Sequence, residues 1–134
     1  GEFARISDNT AGAMMRMGLA ACEDRETPLE LAAMASRAWG YVGLLRAEKS
    51  WAARGRTPLP REGGPSEQRR ERAHLAYFHA KGLPRELPAP AGFPAVGYAA
   101  LAPGYLRALE QGRTERPLLA RQVKLTVAAA TGRL

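Results

Sequence analysis

Arg46, Arg54 and Arg56 lie in a stretch that turns from apolar to basic and then stops at Gly and Pro, Gly-Leu-Leu-Arg-Ala-Glu-Lys-Ser-Trp-Ala-Ala-Arg-Gly-Arg-Thr-Pro-Leu-Pro over 43–60. Guanidinium forks match the oxygens of a diphosphate or an acidic lipid headgroup, which makes these three the candidate anion-binding residues. A plainer reading stands beside it: Arg46 pairs with a neighbouring helix, and Arg54 and Arg56 meet the carbonyls at their own helix end. Other reactive side chains are poorly placed for chemistry. His74 and His79 are off the i, i+3 or i, i+4 spacing that brings helical ligands together, which argues against a shared metal. Met14, Met15 and Met17 read as adaptable core, and the single Cys22 excludes an internal disulfide framework.

The elements that must position these residues are helical. Ala and Leu are abundant, β-branched residues are few, and the prolines gather between apolar runs, so a chain of 134 residues reads as one all-α domain. A first helix is expected over 4–22, where Ala11, Gly12 and Ala13 would let another helix approach closely. The clearest start signal follows, with Thr27 as N-cap, Pro28 at the first helical position and Glu30 completing a capping box. Apolar residues at Leu31, Ala35, Ala38, Trp39, Val42, Leu45 and Ala52 carry that helix to about Arg54, with Gly55 as its stop. Gly40 and Gly43 inside it mark a close helix crossing or a pocket wall.

Residues 55–65 cannot continue a helix. Ser66 caps the next, which runs to Lys81 with Gly82 past its end; its first turns, Glu67 to Arg72, read as solvent-facing, while Leu75, Tyr77 and Phe78 supply apolar contacts. A proline-rich loop over 83–94 leads to a helix from about Ala95 to Gln111, kinked at Pro103-Gly104, and Pro117 opens a last helix to about Thr131. The sum is a bundle of about five or six helices.

The net charge of +7, with Arg far outnumbering Lys, favours phosphate-bearing or anionic-membrane partners, beside the plainer reading of a solvated, arginine-rich surface. No apolar run reaches the roughly 20 residues that span a bilayer, and nothing resembles a signal peptide, so a cytoplasmic location fits, with peripheral association at a membrane left open. Gly1-Glu2-Phe3 reads as an expression scar, with the first native residue near Ala4.

Leu45, Arg46, Ala52, Arg54, Gly55, Arg56, Leu59 and Pro60 fall without a gap on a known frame. It resembles the second aspartate-rich motif of squalene/phytoene synthases, in which Leu-Arg precedes and an Arg-Gly-Arg run ending in Leu-Pro follows the acidic residues. Thr10-Ala11-Gly12 resembles that family's preceding Ala-Gly helix. Ala73-His74-Leu75, Tyr105-Leu106-Arg107-Ala108-Leu109 and Arg116-Pro117-Leu118-Leu119-Ala120-Arg121-Gln122 are similar to the C-terminal helices of its smaller bacterial members. The resemblance implies an isoprenoid-synthase-like helical bundle, with Gly12, Met15, Gly40, Gly43, Ala47 and Trp51 lining its pocket.

In that family, carboxylates one turn apart hold Mg²⁺ against a diphosphate leaving group. Here the acidic positions are Ala47, Ser50 and Trp51, and Glu48 is turned about 100° from their face. The resemblance therefore implies a catalytically degenerate member with no catalytic residue and no metal ligand of its own. It would act as a binding or assembly factor, of the kind that serves respiratory complex I, holding an isoprenoid diphosphate, an anionic lipid or a protein partner. The family's first aspartate-rich motif would lie upstream, so the chain is expected to be the C-terminal half of a larger bundle, completed by the missing half or by a second copy. Two other readings remain: part of an active prenyltransferase whose missing half supplies the Mg²⁺ ligands, and a basic nucleic-acid binder, which charge alone supports.

Overall fold

The structure, a computed structural model, describes residues 5, 8–22, 27–56, 65–83 and 93–134, apart from the side chains of Lys49, Pro65 and Ser66. The expected cap at Ser66 and the loops over 57–60 and 84–92, with Leu59 and Pro60, lie outside the described residues, as does Ile6. The chain is all-α. A π-helical turn, Asp8–Gly12, leads into α1, Ala13–Ala21. Then come α2, Leu29–Ala52, and α3, Pro65–Lys81. A short α4, Phe93–Val96, passes through a 3₁₀ segment, Gly97–Leu101, into α5, Ala102–Glu110, and α6, Leu118–Thr131, closes the fold.

The long α2 is the axis of the molecule because its apolar residues supply both cores. Ala38, Tyr41, Val42 and Leu45 meet Ala76 of α3 and Leu101, Ala102, Tyr105 and Leu106. A turn or two earlier, Leu31, Ala32 and Ala35 meet Met15 and Leu19 of α1 together with Val96 and Ala99. Trp39 packs against both clusters and ties them together. Small residues set the approach distances: a Cβ on Gly18 would lie 2.9 Å from the Cβ of Ala95, so α1 crosses α4 at closest range there.

Two left-handed glycines stop helices where the sequence places them. Gly55, at φ 64°, donates its N–H to Ala52 O at 3.0 Å while Arg56 N–H reaches Trp51 O at 2.9 Å, the paired bonds of a Schellman cap. Gly112, at φ 74°, does the same for α5 through Arg113 N–H and Ala108 O at 2.8 Å. The start of α2 differs slightly from expectation. Pro28 O accepts from the N–H groups of Leu31 and Ala32, so the first helical residue is Leu29.

The orientation of α3 is the main correction. Its first turns are not wholly solvent-facing, since Gln68 and Arg72 are buried, and Tyr77 and Phe78 are exposed. Ala76, fully buried, offers α2 a side chain small enough for close packing. The buried face therefore runs through Gln68, Arg72, Ala76 and His79, and the aromatic rings turn outward. Trp51 is likewise exposed rather than core.

Gly43 is a second correction: it is exposed and, beyond its own turn of helix, no atom of the described residues lies within 4 Å of where its Cβ would stand, so it marks no crossing with a described helix. With free space and no positive φ, Gly43→Ala gains helix propensity without a clash. The variant is expected to be more stable by about 0.5–1 kcal/mol, read as a higher urea midpoint at unchanged slope.

Candidate functional site

Glu48, one residue past the first motif position, faces α3. Its Oε2 forms an ion pair with Arg69 Nε at 3.2 Å and its Oε1 accepts from Arg72 Nη2 at 3.3 Å. Arg72 is 1% exposed, and burial pushes its pKa down against the opposing pull of Glu48. One carboxylate thus bridges two guanidinium groups, which leaves it occupied within the protein. Ala47 is half-buried, and Ser50 and Trp51 are exposed on other sides of α2.

Arg46 is held inside the fold. Its Nε donates to Thr114 O at 3.0 Å, its Nη2 pairs with Glu115 at 2.6 Å, and its guanidinium lies 4.2 Å above the Tyr105 ring. The buried Tyr105 also takes a hydrogen bond on its hydroxyl from Arg121 Nη1 at 3.2 Å and meets the Trp39 ring at 5.8 Å. Arg46 therefore fastens the α5–α6 connection to α2. Arg54 and Arg56 are exposed at the capped end of α2, roughly 12 Å along the axis from Arg46. The three arginines do not form one cluster.

The pocket-lining candidates are also dispersed. Gly12 is buried in the π-helical turn, Met15 is packed in the α1 core, Gly40 is half-buried, and Gly43 and Trp51 are exposed. None of them lines the larger of the described grooves. That groove, about 600 Å³, opens between α3 and α5 over a floor of Leu45, Ala73, Leu106 and Leu109, with Arg69, Arg70, His74, Tyr77 and Glu110 around it. It adjoins a smaller one of about 330 Å³, bordered by Tyr77, Ala80, Lys81, Pro103, Leu106, Arg107 and Glu110. Lys81 Nζ stands 4.5 Å over the Tyr77 ring. The rim thus carries Arg69, Arg70, Lys81 and Arg107 against Glu110, around an apolar floor.

Of the described residues of the motif frame, Leu45 lines this groove, joined by Ala73, His74, Leu106 and Leu109 from the stretches similar to the family's later helices. A signal for the rest was present: Arg70, His74, Tyr77 and Lys81 recur at i, i+4, i+7 and i+11, one stripe of α3. It was masked by the expectation that Tyr77 faced the core. Among the described residues, no three His, Cys, Asp or Glu side chains come together as a metal-binding group. Compared with protein-family models, with curated proteins and with solved structures, the chain matches none of them.

A second polar cluster joins the π-helical turn to α2 and α3. Arg37 donates to both oxygens of Asp8, Nε at 2.9 Å and Nη2 at 2.7 Å, while Arg16 donates to the Asp8 carbonyl at 3.2 Å. The hydrogen bond from Arg37 holds the Asp8 carboxyl below its ordinary 3.8. Burial pushes the Tyr41 hydroxyl up. The Tyr41 ring lies 5.9 Å from that of His79, whose buried Nδ1 has no hydrogen-bond partner among the described residues. Burial first, and the Arg37 charge next, hold His79 below 6.5, with Asp8 opposing them.

Both shifts make the fold sensitive to acid. For His79 the folded pKa is depressed, so its contribution is intact above about 6.5 and is lost as the pH falls towards the folded value, where the unfolded chain alone binds the proton. Asp8 adds a loss at lower pH, beginning near its unfolded value and continuing down through its folded one. Urea-unfolding stability is expected to fall between about pH 7 and pH 5, and His79→Gln is expected to flatten that slope. A slope unchanged in the variant would assign the effect to other groups.

Proposed function

We propose that this chain is a non-catalytic, squalene/phytoene synthase-like binding protein that holds an anionic amphiphile of the isoprenoid diphosphate type in the groove between α3 and α5. The observation that carries the reading is the pairing of an apolar floor, Leu45, Ala73, Leu106 and Leu109, with an arginine-rich rim. A prenyl chain would lie on the floor, and its diphosphate would meet Arg70 and the neighbouring rim cations through charge-assisted hydrogen bonds. The absence of catalysis in this reading rests on Ala47, Ser50 and Trp51, which offer no carboxylate, and on Glu48 being engaged by Arg69 and Arg72. An assembly role is compatible with the same reading, because a protein that holds its ligand without consuming it acts through what it presents to partners.

Calorimetric titration with farnesyl diphosphate tests this. Binding is expected without Mg²⁺, more tightly than either inorganic diphosphate or farnesol alone, and with no diphosphate released when Mg²⁺ is added. Arg70→Ala is expected to weaken it about tenfold, the loss of one hydrogen bond between charged groups. Turnover with Mg²⁺ would make the chain an enzyme, and no heat with farnesyl diphosphate would remove the groove from consideration.

A further inference from the structure

The helix α6 has two apolar edges on opposite sides. The inner one, Leu125 and Ala128, is turned to the interior beside Arg121, which reaches the Tyr105 hydroxyl. The outer one, Leu119, Val123 and Val127, recurs every four residues and is 71%, 54% and 53% exposed. Thr126 and Ala130 are exposed on the same side, so the outer face carries no charge. A helix that only closed a core would place polar residues there.

The charges nearby are of one sign. From 116 to 134 the chain carries Arg116, Arg121, Lys124 and Arg133 and no Asp or Glu. The nearest acidic residue, Glu115, is paired with Arg46. Beside the stripe, an open hollow of about 350 Å³ is lined by Lys124, Val127, Thr131, Arg133 and Leu134, so cations border the apolar edge.

From this geometry we infer that the outer face of α6 docks onto an anionic lipid surface. Apolar side chains on one face with basic residues around them are what an interfacial helix uses: the first enter the boundary of the acyl region and the second meet the headgroup phosphates. A second copy of the chain is a poorer occupant, because it would bring the same cations, Lys124 and Arg133, to the contact. A partner helix would need a groove to lie in, whereas this stripe projects outward at more than half exposure along a single helix, which suits a plane. No described helix is long and apolar enough to cross a membrane, so the contact is one of lying on the surface. This inference is independent of the α3–α5 groove.

Cosedimentation of the chain with vesicles tests it. Pelleting is expected with phosphatidylcholine mixed with phosphatidylglycerol, little with phosphatidylcholine alone, and less as salt is raised. Val123→Asp, at an exposed position, is expected to weaken binding at least about tenfold, with its far-ultraviolet circular dichroism as the control for folding. Lys124→Ala, which leaves the apolar stripe intact, is expected to weaken it about fivefold and carries the test on its own if the first variant does not fold. Equal pelleting with both vesicle types, no pelleting with either, or parental binding by folded Val123→Asp would each overturn the inference. So would a dimer in gel filtration that Val123→Asp disperses without change in vesicle binding, or preference for an acidic amphipathic peptide over the vesicles.

Discussion

The Arg72 guanidinium is the constraint on which the arrangement of α2 and α3 depends. A charge that is 1% exposed must be met by an opposite charge, and Glu48 is the carboxylate that meets it. This requirement sets the rotation of α3: once Arg72 faces α2, Gln68 and Ala76 must share that face one turn away on each side, and Arg70, His74 and Tyr77 must turn towards the groove. Removing one partner of such a pair leaves a buried charge uncompensated, at a cost of about 3–5 kcal/mol where that has been isolated. The pair therefore selects one register of packing more than it adds to net stability. Ala76 makes that register accessible, because a larger side chain would hold the helices too far apart for Arg72 to reach Glu48.

Tyr105 does for α5 and α6 what Arg72 does for α3. Its ring lies under Arg46, its edge meets Trp39, and its hydroxyl accepts from Arg121, so residues of α2 and α6 converge on one buried side chain of α5. Gly104, the residue before it, has a separate task. A Cβ there would lie 2.6 Å from Cζ of Arg116, so the bare position lets the arginine that precedes α6 lie directly across α5. The left-handed Gly112 turns the chain between these contacts and brings Thr114 and Glu115 within reach of Arg46. A basic residue that reads in isolation as an anion ligand is in this setting a strap between helices.

Helix class and most boundaries were legible because they depend on local signals: the Gly55 and Gly112 stops, the apolar spacing along α2, and Pro117 ahead of α6. The facing of α3 was not. Its window holds Glu67, Arg69, Arg70, Glu71 and Arg72 beside Tyr77 and Phe78, and hydropathy alone assigns the rings inward and the charges outward. The decisive fact, a carboxylate 24 residues earlier on α2, is long-range and invisible to any window. The same misreading hid the groove, whose rim is the charged stripe that Arg72 displaces outward. Arg46 was legible only as a pair of alternatives, since its partners Thr114 and Glu115 lie 68 and 69 residues away. The pocket expected from Gly12, Met15, Gly40, Gly43, Ala47 and Trp51 came from the resemblance, whereas small residues in this fold serve close packing, as Gly18 does against Ala95, or face solvent, as Gly43 does.

The net charge of +7 is consequently not spread evenly over the surface. Arg37, Arg46, Arg69 and Arg72 each face a carboxylate inside the fold, and Arg121 is turned to Tyr105, so these cations contribute to architecture first. Among the described residues, Arg54 and Arg56 are exposed at the end of α2, and cations outnumber acids in two further places: first the groove rim, where Arg70, Lys81 and Arg107 stand against Glu110, and second the acid-free segment around Lys124. In both places the basic residues border apolar side chains, Leu106 and Leu109 in the first and Val123 and Val127 in the second. Charge alone would recruit any polyanion, and an apolar face alone any hydrophobe. Under the proposed readings, an anionic amphiphile or an anionic lipid surface would satisfy both at once, which neither feature alone would select.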